Sequence, residues 1–303
     1  MSYLHKDKSM ISYLQLLLLG AIAGFTIFLG LPVAALQNVS AHKKGFLNAV
    51  AIGILIFLII DVFSHAWETT GDAALSAFQG KGASFDAVTD LLALFGGIAV
   101  GLLGLVFYES KYMIRTPVAQ AQQPKVVEEG SSEGASIGNS TRLVAQMMEE
   151  VDAYKLSMMI AIGIGFHNFS EGLAIGQSYA SGAIGLALIL IIGFGAHNAT
   201  EGFGIAGPLT GLAKRPTVRF LTTAGLVGGG PTFLGTLTGS LIGVFEFTYV
   251  LFLSIAGGAL VYVSMLMYNT GRRQTTNRIL MIGIFVGLSA GFLTDLIVTL
   301  GGA

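Results

Sequence analysis

The stretch LSMMIAIGIGFHNFSEGLAIGQ, residues 156–177, is apolar with a polar centre, and AIGLALILIIGFGAHNATEGF, residues 183–203, is arranged in the same way. Each is about as long as the roughly 20 helical residues that cross a bilayer core. The central motif His167-Asn168-Phe169-Ser170-Glu171-Gly172 recurs 30 residues later as His197-Asn198-Ala199-Thr200-Glu201-Gly202. In each copy the histidine and glutamate are four apart, which stacks them on one face of a helix. Ionisable side chains at that depth are costly and mark functional sites.

The rest of the chain has the same character. Of its 303 residues, 53% are hydrophobic and only 11% charged, against about 25% charged in soluble domains. The runs are continuous rather than alternating, which excludes a β-barrel. The predicted fold is all-α, a polytopic membrane protein with eight transmembrane segments: Ile11–Leu36, Phe46–Trp67, Val88–Tyr108, Leu156–Gln177, Ala183–Phe203, Val218–Val244, Phe247–Tyr268 and Ile279–Leu300. The first run is too long for a signal peptide's apolar region. Thirteen of the 16 basic residues fall in the links after segments 1, 3, 5 and 7, such as Lys43, Lys44, Lys214, Arg215, Arg272 and Arg273. By the positive-inside rule those links are cytoplasmic and both termini lie outside. Residues 1–108 then carry segments 1–3, residues 109–153 a flexible cytoplasmic loop, and residues 154–303 segments 4–8. The loop mixes Pro, Gln, Ser, Gly and Glu, although its end, Ser140 to Asp152, has an amphipathic helical pattern.

A short link near Ser178–Gly182 makes segments 4 and 5 antiparallel neighbours. Their motifs then face each other and offer His167, Glu171, His197 and Glu201 to one ion. Imidazole with carboxylate suits borderline divalent cations: zinc first, with iron, manganese, cadmium and cobalt as others. Cysteine is absent, and K⁺ or Na⁺ would not need imidazole. Two glutamates neutralise one such cation, which lowers the cost of holding it away from water. The expected function is transport of divalent metal ions through the membrane, the ion being substrate rather than cofactor. An intramembrane zinc-dependent hydrolase is the alternative. It would need an open metal position and a separate general base, and every acid at the site is already used as a ligand. No nucleotide-binding loop is present, since Gly211-Leu212-Ala213-Lys214 lacks the spacing. The partners are the metal ion and the lipid bilayer, with no nucleic acid; a homodimer is the one protein assembly considered.

The paired motifs in the fourth and fifth of eight segments, with outside termini and a long loop after the third, resemble the ZIP (Zrt-, Irt-like) metal transporters. The likeness is greatest to their prokaryotic branch, which implies uptake into the cytoplasm across a plasma membrane. It also implies a transport site at the motif positions. The first metal would use His167, Glu171, His197 and Glu201, and a second would use Asn168 and Asn198 with the glutamates bridging. Segments 1, 4, 5 and 6 would move as a body against 2, 3, 7 and 8. Two departures stand out. Ser170 and Thr200 replace the proline that many relatives place before the glutamate; a hydroxyl bonded to the preceding turn can bend the helix instead. Gly230, in Gly228-Gly229-Gly230-Pro231, stands where relatives offer a carboxylate, so the second metal position is expected to be weak or absent.

Other polar groups interrupt the apolar runs. Asp61, His65 and Glu68 fall at i, i+4 and i+7 on segment 2 and form one stripe toward the outer surface. They are read as an access route or accessory metal site, against the plainer reading of a solvated helix end with one buried aspartate. Asp90 and Asp295 are weaker candidates, and Glu246 is read as solvated.

Overall fold

The computed structural model of the chain describes residues 11–37, 40–112, 132–242 and 246–300. These are helical throughout, with no strand among them. The helices are α1 (Tyr13–Phe25), α2 (Ala41–Phe78), α3 (Ser84–Tyr112), α4 (Ser132–Ala180), α5 (Ile184–Ala206), α6 (Val218–Ile242), α7 (Glu246–Gln274) and α8 (Asn277–Leu300). Among the described residues seven helical stretches are long and apolar enough to cross a membrane, the first running from α1 on to Ala35. The helix outside that set is α6, whose glycines and threonines dilute its apolar character.

Two expectations need correcting. The first apolar run is not one helix: after α1 the chain tightens into 3₁₀ turns at Thr26–Leu29 and Leu31–Ala35, the second opened by Pro32. Within the expected loop 109–153, helix starts at Ser132, earlier than the pattern expected from Ser140 to Asp152, because α4 begins there. Arg142 to Ala153 holds mostly strong helix formers and neither Pro nor Gly, so the helix continues outward from the membrane segment. Residues 113–131 of that expected loop lie outside the described residues.

Packing falls into two groups. In one, α6 lies along α4 and α1, and α5 packs on α4 and α1; in the other, α7 lies along α3 and α2, and α8 along α2. The groups meet mainly where α4 touches α7 and α5 touches α8 and α2. Inside a membrane, close packing rather than water exclusion holds helices together, and small residues permit it. Glycines meet in facing pairs: Gly24 with Gly229, Gly30 with Gly202, Gly172 with Gly235 and Gly53 with Gly287. At each, an added Cβ would run into the partner helix's backbone. A further apolar cluster, including Leu55, Leu58, Ile160, Ile164, Ile205 and Leu260, joins the two groups.

Replacing Gly287 by Val is expected to cost at least about 2 kcal/mol, because the branched side chain is driven into Val50 and Gly53 of α2. Gly104→Ala, where an added Cβ meets nothing within 4 Å, should stay within about 0.5 kcal/mol. Unfolding midpoints of the two purified variants would check both.

Candidate metal centre

The antiparallel pair α4 and α5 brings the two motif copies together. His167 Nε2 lies 3.3 Å from Glu171 Oε1 and 3.7 Å from Glu201 Oε1, and His197 Nε2 lies 3.5 Å from Glu201 Oε1. The two imidazole rings are 5.8 Å apart between centroids. All four side chains are buried, Glu201 completely. The four side chains expected from the sequence thus lie near one another, joined through His167 Nε2 and Glu201 Oε1.

Its hydrogen bonding is incomplete. Both ring nitrogens of His167, Nε2 of His197, Oε2 of Glu171 and Oε1 of Glu201 are buried without a hydrogen-bond partner. Buried polar atoms are nearly always satisfied, and each exception costs about 1–3 kcal/mol or more. One nitrogen from each imidazole and one oxygen from each carboxylate could ligate a single divalent cation, so the donor types fit such an ion.

The motif has a second face. Asn168 donates from Nδ2 to Glu201 Oε2 and to the Gly228 carbonyl of α6, both at 3.0 Å. Asn198 donates from Nδ2 to the Ala23 carbonyl of α1, also at 3.0 Å. Four residues on from each asparagine, Gly172 meets Gly235 of α6, and Gly202 meets Ile27 and Gly30. In both copies, then, histidine and glutamate form the donor face, and asparagine and glycine bind a neighbouring element. This gives Asn168 and Asn198 a positioning role that the metal-ligand reading did not assign. Their Oδ1 atoms have no hydrogen-bond partner, but neither residue lines the cavity beside the imidazoles. Ser170 and Thr200 bond the preceding turn, at Phe166 O and His197 O, as expected.

Gly230 does not face the site. It shares a face of α6 with Leu226 and Leu234, which are 48% and 53% exposed, and an added Cβ there meets nothing within 4 Å. What α6 offers to Asn168 is the Gly228 carbonyl.

A cavity of about 170 Å³ opens beside the imidazoles, and Asp61, His65 and Asp295 line its opposite wall. Donor atoms of Asp61, His167 and His197 all lie within 4.8 Å of one another. Of the outer stripe, Asp61 and His65 thus reach the metal chamber. Glu68 lies instead in a separate cavity of about 470 Å³ with Asp72, Asp86 and Glu246. His65 lines both cavities and marks their junction. Asp90 is buried, with Oδ2 unpartnered, outside both cavity walls. Asp295, whose only signal in the sequence is a lone carboxylate in an apolar run, lines the same cavity. No protein-family model matches this chain, and no curated protein sequence does.

Asn198→Ala should lower the unfolding midpoint through a loss of about 1–2 kcal/mol, since α1 loses its tie to α5. Metal affinity measured on the same protein should change little. A loss well beyond about 100-fold, more than outer-shell partners cost, would make Asn198 a ligand instead.

Proposed function

We propose that this chain carries divalent metal ions, zinc foremost, across a membrane into the cytoplasm, in the manner of the ZIP transporters it resembles. One observation carries the reading: two imidazoles and two carboxylates converge deep among membrane-type helices with their lone pairs unpartnered. Soft thiolate ligands are missing, and hard cations would take oxygen alone, so the mixed set favours borderline ions.

The surroundings support passage rather than storage. His65 lines both the chamber and the separate acidic cavity of Glu68, Asp72, Asp86 and Glu246, which we read as the approach to the donors. That negative field would concentrate cations at one mouth. Toward the other side, the apolar cluster of Leu55, Ile160, Ile164, Ile205 and Leu260 lies across the path. In this reading α6 is the eighth spanning helix, because it lies along α4 from Gly165 to Gly176. The distribution of Lys and Arg then puts the acidic mouth outside with both termini.

Alternating access needs the donors to stay together while their exposure changes. His167, Glu171, His197 and Glu201 all stand on α4 and α5, within one packing group. That group can shift against α2, α3, α7 and α8 without dismantling the site. Asp61 stands on the opposite group and would part from the cargo during the shift.

His167→Ala and Glu201→Ala should each lower saturable zinc uptake into proteoliposomes by at least about 100-fold, since even outer-shell changes cost 10–100-fold at metal sites. Wild-type uptake kinetics in a well-folded Glu201→Ala variant would sink the site assignment. Uptake should also depend on acidity. Ligation requires neutral imidazoles and ionised carboxylates, so binding expels protons and the apparent affinity should weaken as external pH falls. An affinity that stays flat from about pH 7.5 to about 5.5, across the ordinary imidazole range, would count against histidine ligation.

A further inference from the structure

The two imidazoles lack the usual means of orientation. A histidine that holds a metal almost always gives its second ring N–H to a carboxylate, a carbonyl or a water, which fixes the ring and its tautomer. Here both ring nitrogens of His167 and Nε2 of His197 are buried without a hydrogen-bond partner. Among the described residues Nδ1 of His197 makes no hydrogen bond either. Packing must therefore set the direction in which the rings face.

We propose that Phe57 is a positioning residue for the metal site: its ring braces His197, and through it His167, in place of a hydrogen-bonded outer shell. This rests on the reading of the donor set above and deepens it. Phe57 stands on α2, one helical turn before Asp61, and is not part of the chamber wall. It therefore acts through His197 rather than on an ion.

Three observations carry the proposal. First, four rings stand in a row across the bundle: Phe292 of α8, Phe57 of α2, His197 of α5 and His167 of α4. Their successive centroids are 5.1, 5.5 and 5.8 Å apart. Ring pairs attract at separations of roughly 4.5–7 Å. Secondly, Phe57 is itself locked. It is 2% exposed, and Gly291 of α8 provides a seat for it, since a Cβ added there would run into the ring. Gly283 and Gly287, on the same face of α8, lie instead against Ala49 and the α2 backbone. The third glycine of that row thus admits a side chain where the other two admit a helix. Thirdly, the brace and the ring that it supports stand on different packing groups, α2 in one and α5 in the other. A shift of one group against the other withdraws the brace, so the imidazoles are held most firmly in the arrangement seen here.

Zinc titration of the purified full-length protein in nanodiscs, with cobalt(II) absorption as a second readout, tests the proposal. Phe57→Leu should raise the zinc Kd by about 10–100-fold, the scale of a lost outer-shell partner, and should alter the cobalt d–d bands at saturation. Phe57→Met keeps the bulk without the ring; it should do the same, and it stands in if the leucine variant folds poorly. Gly291→Ala should also raise the Kd by displacing the ring. It should add little to Phe57→Leu in the double variant, because the two changes act through one contact. Leu94→Ala, in the separate cluster of Val62 and Val250, should lower the unfolding midpoint without moving the Kd or the spectrum. A wild-type Kd and cobalt spectrum in the folded Phe57 variants would overturn the brace and leave the metal site standing. An equal loss of affinity in Leu94→Ala would overturn it as well, by making the effect one of general packing. No zinc bound to the wild type would instead overturn the metal reading on which the proposal rests.

Discussion

The carboxylate of Glu201 is the group on which the rest of the arrangement depends. It is fully buried in an apolar bundle, yet it approaches both imidazoles through Oε1 and accepts from Asn168 through Oε2. An ionised carboxylate in such a place is affordable only with charge-assisted partners on every side. Asn168 supplies one and is itself held by the Gly228 carbonyl of α6. The histidines are positioned to share a cation with the other oxygen. Remove Glu201 and Asn168 loses one of its two acceptors, and the rings lose their common neighbour.

That dependence explains why glycines cluster where they do. Asn168 can span from Glu201 to α6 only if α4 and α6 lie nearly backbone to backbone, which the contact of Gly172 with Gly235 allows. Asn198 reaches the Ala23 carbonyl of α1 beside the place where Gly202 lets the 3₁₀ turns after α1 approach α5 equally closely. Thr26 adds its hydroxyl to the Gly195 carbonyl at the same junction. Pro231 has no N–H, so the Val227 carbonyl lacks its usual helical donor, and Gly165 lets α4 crowd against that carbonyl. Small residues and polar anchors are thus one device: the glycines bring backbones together, and the carboxamides exploit the proximity.

The donor face of each motif was legible in the sequence because it is local. A spacing of four places His167 over Glu171 whatever the rest of the chain does, and an imidazole amid hydrocarbon announces itself. The asparagine–glycine face is equally periodic, but periodicity does not say which helix it meets, so the contact of Asn168 with α6 is not legible in the sequence. The break after Phe25 was illegible for a similar reason. Its anchors, Gly195 and Asn198, come from about 170 residues away. Gly230 misled because one residue of helical register turns a side chain by about 100°, enough to exchange the site for the outer face. Asp61 and Asp295 are separated by most of the chain, and only the packing of α8 on α2 brings them to one wall.

The division of ligands between the two packing groups has a consequence for energetics. A carrier that kept every charge on the moving helices would hold its ion equally well at both ends of the stroke, and release would be slow. Here Asp61 belongs to the α2 group, while the imidazoles and glutamates belong to the α4–α5 group. In the proposed transport reading, a cation facing Asp61 would have an extra anionic neighbour, and once displaced from it would be balanced by two glutamates alone. Only such a difference in interaction between the two states can bias loading against release. The placement of one aspartate across the boundary, rather than the strength of the four-donor set, is what would make the inner end of the path the weaker holder.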